Sequence, residues 1–543
     1  MKKDSLLKST VILAVAALVA RALGIFQKVP MDYMLDNVGN GYFNSANTLY
    51  LLLLMVATAG IPSAISKMVS ERYALGKIDE AQQVYRAALL FGAIAGVVMT
   101  VCMIGLAPVI ANHILGEPDA AAALQAIAPS LLLFPLIAMI RGYFQGRQFM
   151  TAGGISQIVE QFARVIAAIA IAYAIYAANP LNSKGIASGA VLGSVFGSIA
   201  AFAVMVYYAR KLKASDRRSP KIAADPSRKL RLRTIYRELF NLSIPIVMTS
   251  ITVQMLYTLD MYMVKPLTKG YFDPELINHW WAVLGMNAQS IAGIPVILAI
   301  ALCTSIIPII SSAHATGDRK RVGEQASLAV RIALYSGMPI VLLLGVGAYS
   351  VNGFLFQSAE GSAIVAMLTL STIFQIGMMV TNSILLGMGQ PKKATMHAIT
   401  GILLKVILSF TLAPFFGVYG LLAATAICFI WALSFNILSL RKRTTLNVIG
   451  KRWTGFLLTS GIVAAVIGFL EWAILGLIGE ALPAKLGFLI SCIVMGGVLA
   501  VVYPALLVLL RVVTAEEIAI YPRPVRRLLS PFLKLRGTRM TNR

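Results

Sequence analysis

The sequence is poor in charge. Only 13% of its 543 residues are Asp, Glu, Lys or Arg, about half the share found in a soluble domain. A chain of this length with so few charges cannot clothe a water-facing surface around its apolar residues. Cysteine is scarce as well. Cys102, Cys303, Cys428 and Cys492 lie far apart inside apolar stretches and none forms a CxxC pair, which excludes a disulfide framework and leaves them as small buried hydrophobes. Four scattered histidines make no metal constellation, and no metal site is expected. There is no GxxxxGK[ST] loop, no HExxH pair and no GxSxG elbow, so ATP-driven work, zinc-dependent hydrolysis and serine-hydrolase chemistry find no support. No catalytic residue is assigned and no cofactor is expected. Acids are the rarer charge, 22 against 47 Lys and Arg, for a net charge of +25. That excess sits in clusters between apolar windows, without a basic domain interleaved with aromatics, so a nucleic-acid partner is not expected.

What is present in quantity is hydrophobic sequence, 58% of the chain. It falls into windows of membrane-spanning length, about 20 residues each. The fold class expected is an all-α integral membrane protein with about fourteen transmembrane helices, by the same length criterion. The windows lie near 6–27, 42–66, 85–111, 122–144, 155–178, 185–209, 239–264, 281–311, 325–350, 361–388, 394–414, 417–440, 453–478 and 485–511. Lys2, Lys3 and Lys8 before an apolar run, with Ala-Arg-Ala at 20–22, imitate a secretion signal. Because apolar windows continue along the chain, the segment is read as an uncleaved first helix.

Charge asymmetry tests the count. With the N-terminus inside, alternate segments hold Lys67, Arg72, Lys77 and Arg86; Arg141 and Arg147; eleven cations from Arg210 to Arg237; Arg319 to Arg321; Lys392 and Lys393; Arg441 to Arg452; and the tail from Arg511. The segments between them hold only Lys28, Lys184, Lys265, Lys269 and Lys485. The alternation is unbroken and predicts a multi-pass protein of a cytoplasmic membrane with both termini cytoplasmic.

The stretch 63–77, SAISKMVSERYALGK, matches 304–318, TSIIPIISSAHATGD, in character: a helix end, a Gly turn, then a charged amphipathic run. The first follows the second window and the other follows the eighth. This predicts two six-helix lobes of parallel topology plus two C-terminal helices, a transporter signature. The domains expected are 1–210 for the N-terminal lobe, 211–238 for a basic cytoplasmic linker lying on anionic lipid, 239–440 for the C-terminal lobe, 441–511 for the extra helices and 512–543 for a basic tail.

A charge at a helix centre costs about 2.5–3.5 kcal/mol on insertion scales, so it faces a cavity or a partner helix by default. Arg21 and Lys28 stand two turns apart on the first span. Gln254, Tyr257 and Asp260 mark the seventh, with Lys265 near its outer end. These stripes predict a polar cavity between the lobes, with Asn44, Asn47 and Asn287 as further polar lining. Gly60 with Pro62 on the second span, and Gly293 with Pro295 on the eighth, are read as paired gating kinks. Glu160 and Arg164 have the spacing of a local ion pair. Lys405 and Glu471 are expected to mark a lateral groove or a helix contact, and Arg331 to reach the inner headgroups.

Arg21-Ala-Leu-Gly24, Gly60-Ile-Pro-Ser63, Arg141-Gly-Tyr-Phe-Gln-Gly146-Arg-Gln and Ile155-Ser-Gln-Ile-Val-Glu-Gln161 together resemble the MurJ-type lipid II flippases. The Gram-positive branch, with its stage V sporulation protein B group, is the most similar, within the multidrug/oligosaccharidyl-lipid/polysaccharide exporter superfamily. The resemblance spans essentially the whole chain. It implies a V-shaped pair of lobes, alternating access, a cationic cavity, and outward flipping of an undecaprenyl-diphosphate-linked peptidoglycan precursor. Arg21 falls where such flippases carry a cavity arginine; Gln27 and Lys28 stand where many carry an Arg-Asp pair. The two last helices, 453–511, correspond to a groove for the lipid tail.

On this reading Arg21 and Lys28, with Lys265 as a third candidate, hold a diphosphate, and the membrane potential or an ion gradient supplies the drive. The partners expected are a lipid-linked oligosaccharide, the bilayer and cell-wall synthesis enzymes, around a monomer. The alternatives are a flippase for another polyprenyl-linked oligosaccharide, an ion-coupled multidrug exporter of the same superfamily, and a scaffold for cell-wall or spore-coat enzymes.

Overall fold

A computed structural model describes residues 6–35, 42–43, 46, 60–115, 118–218, 230–356, 358–478 and 482–513. Seventeen α-helices account for most of these residues. They are α1 Leu6–Met34, α2 Ile61–Ala74, α3 Ile78–Val109, α4 Ala120–Ile127, α5 Ser130–Gly146, α6 Met150–Ala178, α7 Ser183–Arg218, α8 Leu232–Thr268 and α9 Pro274–Val283. There follow α10 Gln289–Ala315, α11 Arg319–Val346, α12 Ala348–Leu355, α13 Ser362–Gly387, α14 Pro391–Phe416, α15 Val418–Arg441, α16 Trp453–Ile478 and α17 Ala484–Leu509. Among the described residues, twelve helical segments are long and apolar enough to cross a membrane. The protein is a multi-pass membrane protein. The first predicted window lies in α1; most of the second, 47–59, is outside the described residues.

Helix ends follow the glycines. Gly76 and Gly317 take φ of 75° and 73°, the left-handed conformation that ends a helix without a Cβ penalty. At the first, Lys77 N–H donates to Arg72 O at 2.9 Å; at the second, Asp318 N–H donates to Ala313 O at 3.1 Å. These are the same capping bonds 241 positions apart. A second pair repeats the spacing. Gln148 (φ 62°) and Gly389 (φ 74°) turn the chain after α5 and α13, with Phe149 N–H to Phe144 O at 2.9 Å and Gln390 N–H to Leu385 O at 2.8 Å. Helices α3 and α11, and α6 and α14, also start 241 positions apart. The register read from 63–77 and 304–318 therefore extends through four helices of each half.

The chain forms two compact units, Met1–Val247 with Ile307–Asp318, and Met248–Ile306 with Arg319–Arg543. The division falls inside α8 and α10 rather than in the basic segment. In the first unit, Met103, Leu124, Ile127, Leu131, Ala168, Ala172 and Ile186 form an apolar core. Helices α6 and α7 run close together because α7 offers glycine at the contact. A Cβ on Gly193 would stand 2.5 Å from the Arg164 carbonyl oxygen, and one on Gly197 would stand 2.9 Å from that of Glu160. Small residues at such seams let membrane helices pack by van der Waals contact where water cannot drive association.

In the second unit one core gathers Trp280, Leu284, Ile291, Leu368 and Leu421. Another, with Tyr335, Phe456, Val463, Ile467, Met495 and Tyr503, seats α16 and α17 against α11. The far face of α16 shows Leu457, Leu458, Phe469 and Trp472 outward, which suits acyl chains rather than water. With 36 and 37 residues, α7 and α8 are each about 55 Å long. They overrun a hydrocarbon layer about 30 Å thick.

Candidate transport site

Arg21 and Lys28 both fall within α1, which runs from Leu6 to Met34 and contains Pro30. Their side chains lie outside the described residues, as do Asn44 and Asn47. The part of α1 between them borders an open apolar groove of about 480 Å³, lined by Leu23 of α1 and by Phe162, Val165, Ile166, Ile169, Ala170 and Tyr173 of α6. This lining offers apolar contact and almost no polar surface.

Lys265 is exposed near the C-terminal end of α8, its ammonium 4.6 Å from the centre of the Trp281 ring. That cation–π contact anchors α8 to α9. Gln254 is exposed on α8. Asn287 sits in a π-helical turn, Leu284–Ala288, between α9 and α10. Its amide donates to Asn352 Oδ1 at 2.8 Å, and Asn352 in turn donates to Glu360 O at 3.1 Å and Ser362 Oγ at 3.2 Å. Asn287 is thus engaged in joining α12 and α13 to that turn.

The structure corrects several sequence expectations. Asp260 does not line a wet cavity: it has 0% exposure. Lys405 Nζ of α14, also at 0% exposure, stands 2.9 Å from Asp260 Oδ1. Thr425 Oγ1 of α15 donates to Asp260 Oδ2 at 2.8 Å, and Lys405 donates to Leu256 O at 3.1 Å. Lys405 is therefore a helix contact, one of the two roles its sequence position allowed. Glu160 does not pair with Arg164. It accepts from Arg141 Nη2 of α5 at 2.7 Å, and Arg141 also donates to Ser156 Oγ at 2.8 Å. Glu471 accepts from the Ser350 backbone N–H at 2.8 Å, bracing α16 against α12. Arg331 donates to Val448 O at 2.7 Å and so engages the loop after α15.

The two proline motifs are not equivalent. Gly60 has φ 86° and precedes α2, with Pro62 in its first turn, where proline costs no hydrogen bond. Gly293 and Pro295 lie inside α10. They follow Gly60 and Pro62 by 233 positions, eight short of the repeat, so the two motifs do not correspond in its register.

A polar network at one end of the first unit was not legible beforehand. Arg147 makes a bidentate pair with Asp216 of α7 at 2.5 and 2.8 Å. Its guanidinium lies over the rings of Tyr73 at 4.7 Å and Phe149 at 5.4 Å. The Tyr73 and Tyr143 hydroxyls are 3.0 Å apart. Burial, with Tyr143 beside it, pushes the Tyr73 phenol well above its usual pKa, so it remains a neutral hydrogen-bonding group. Burial opposes the charge on Arg147, but its bonds to Asp216 outweigh this and leave the guanidinium even harder to deprotonate. Arg72 joins Glu238 of α8 at 2.7 and 3.3 Å, and Lys67 pairs with Glu71. In sequence these residues read only as topology signals. The second unit uses an amide, hydroxyl and imidazole cluster at the matching helix ends: Asn436 donates to Thr381 Oγ1 at 3.0 Å and Asn382 Oδ1 at 2.7 Å, with His397 Nδ1 2.8 Å from Asn436 Oδ1. No grouping of His, Cys, Asp and Glu among the described residues fits a metal.

Against this geometry stand the similarities to known proteins. A family model described as polysaccharide biosynthesis protein matches residues 6–314. The lipid II flippase MurJ of Bacillus subtilis (strain 168) is 23% identical, over 87% of this chain and 89% of its own. Stage V sporulation protein B of the same organism is 25% identical, over 79% and 81%. Among solved structures, an outward-facing multidrug resistance MATE family transporter of the MOP superfamily aligns with a TM-score of 0.64 at 13% identity, covering 81% of this chain and 96% of its own. A MOP superfamily transporter from Pyrococcus furiosus aligns equally well, with a TM-score of 0.64, 13% identity and the same coverage. The fold is that of these transporters.

Proposed function

The chain belongs to the polysaccharide biosynthesis protein family, and from that premise we propose that it is a flippase carrying a polyprenyl-diphosphate-linked cell-wall precursor, of the lipid II class, to the outer leaflet of the cytoplasmic membrane. It is a membrane transporter, not a catalyst, and a MurJ-like member of its superfamily. The relatives named lipid II flippase and stage V sporulation protein B motivate the substrate class.

The observation that carries the choice of an anionic substrate is the disposition of charge. Among the described residues, the two buried carboxylates within spans, Asp260 and Glu160, are each already neutralised by a cation. An exporter of cationic drugs needs a free acid; neither of these is one. Helix α1, in contrast, carries Lys8, Arg21 and Lys28 against the single acid Asp32. Arg21 and Lys28 hold the diphosphate in this reading, and the groove between Leu23 and Tyr173 receives hydrocarbon next to them. Both termini are cytoplasmic, and the membrane potential favours the outward step. One elementary charge gains about 2.3 kcal/mol per 100 mV, so a dianionic headgroup leaving a negative interior gains about twice that.

Two measurements test the reading. Depleting the protein is expected to make a lipid-linked cell-wall precursor accumulate on the inner leaflet, and mass spectrometry identifies its headgroup. In a strain dependent on this gene, Arg21→Ala and Lys28→Ala are each expected to abolish growth while leaving the protein in the membrane. Full complementation by both would remove the phosphate clamp.

A further inference from the structure

The flippase reading makes no use of the Asp260–Lys405 pair, yet it is the most completely enclosed charge in the described part of the second unit. Both side chains are at 0% exposure. Asp260 lies eight residues before the end of α8, Lys405 eleven before the end of α14, and Thr425 seven after the start of α15. At 1.5 Å per residue these positions lie about 10–17 Å in from the helix ends. Leu256, Met378, Ile402, Cys428, Phe429 and Ala432 pack around the pair as an apolar cluster.

Stability does not account for such a pair. Removing two opposite charges from water costs about as much as their attraction returns, and an apolar pair of similar volume is commonly as stable. The arrangement is better described from the oxygens outward. The Asp260 carboxylate and the Leu256 carbonyl are one turn apart on α8 and both meet the ammonium, at 2.9 and 3.1 Å. Thr425 supplies a hydroxyl 2.8 Å from the other carboxylate oxygen. A carboxylate and a backbone carbonyl converge on one positive charge, and the Thr425 hydroxyl braces the carboxylate from its other oxygen; carboxylate and carbonyl oxygens are the hard donors that alkali ions take within membranes.

We propose that Lys405 is a tethered cation filling a latent monovalent-cation site built from Asp260, Leu256 O and Thr425. The chain supplies from its own side chain the counter-charge that Asp260 would otherwise draw from solution. The intact protein therefore needs no sodium or potassium at this place. Removing the ammonium while keeping the carboxylate opens an enclosed anionic site that takes up an alkali ion. This goes beyond the proposed transport activity and stands or falls apart from it, because the readout is stability in defined salts and not flipping.

The test is thermal unfolding of the full-length chain in detergent, at constant ionic strength and pH, with choline chloride replaced stepwise by NaCl, KCl or methylammonium chloride. The wild type is expected to unfold at one temperature in every salt. Lys405→Ala is expected to show a saturable rise of several degrees with Na⁺, K⁺ or methylammonium, and the neutral Asp260→Asn/Lys405→Met pair to show none. A saturable alkali response in the wild type overturns the proposal. So does a Lys405→Ala protein that unfolds at the same temperature in choline and alkali salts, or one that responds to pH alone. If Lys405→Ala yields folded protein only when purified in an alkali salt, the proposal is supported. If it folds in no salt while the neutral double variant folds, it is overturned.

Discussion

Position 164 on α6 and position 405 on α14 occupy the same register of the two units, 241 residues apart, and both carry a cation. Their surroundings differ. Lys405 is sealed against Asp260 of α8. Arg164 is half-buried, its Nε has no hydrogen-bond partner among the described residues, and the acid one turn before it is taken by Arg141. The repeat preserves backbone register, as the matched turns at Gly76 and Gly317 attest, but the partner of a buried charge depends on what the neighbouring helix presents. Helix α8 presents an acid, Asp260, to Lys405. Helix α1 carries Arg21 and Lys28 in its sequence. The two units thus differ in the charge their opening helices carry in sequence on a common frame.

The sharpest way to break this comparison is to open each buried pair. Asp260→Asn leaves Lys405 charged and enclosed, and is expected to cost about 3–5 kcal/mol, the usual penalty for orphaning one partner of a buried pair. Glu160→Gln is expected to cost less than Asp260→Asn, because the Arg141 and Glu160 side chains keep 10% and 11% exposure. Detergent thermal unfolding with a double-mutant cycle at each pair measures both. Equal losses would mean that the two pairs are enclosed alike.

A smaller effect is expected at the seam that sets the height of Arg164. Gly193→Leu drives a side chain into the Arg164 carbonyl and Ala168 and is expected to destabilise the first unit by about 1–3 kcal/mol through overpacking. Limited proteolysis with fragment mapping reads where the loss falls. Protection lost evenly over both units would contradict a local effect.

The smallest change concerns Lys265, which the sequence offered as a third phosphate contact. Its seat on the Trp281 ring is worth about 0.5–1 kcal/mol at an exposed site. Lys265→Ala is expected to lower stability by that amount and to leave complementation intact. Loss of complementation with unchanged stability would return Lys265 to the substrate.

Much of the fold was legible because membrane insertion writes itself along the chain. Span length and the Lys/Arg asymmetry depend only on local composition, and the predicted windows fall on α1 through α17 wherever the structure describes them. The Gly-turn match placed the repeat in register because a left-handed glycine leaves a composition signal on both sides. The side-chain partners were not legible in the same way. Glu160 was assigned to Arg164 because they are neighbours on one helix, but Arg141 reaches it from α5, and its position before a turn made it look like a topology marker. The proline motifs looked alike as letters, yet one begins a helix and the other lies within one.

The sequence by itself determined that this chain lives in a membrane, how many times its apolar windows recur, which ends carry positive charge, and that its halves repeat. These follow from one-dimensional periodicity and from the cost of placing polar groups in hydrocarbon. Only the tertiary structure decided which intramembrane charges are spent on one another, because that choice is made across helices distant in sequence. At 2.7–2.9 Å, in a medium where an unpaired charge is costly, a residue's role depends on the neighbour that packing brings to it.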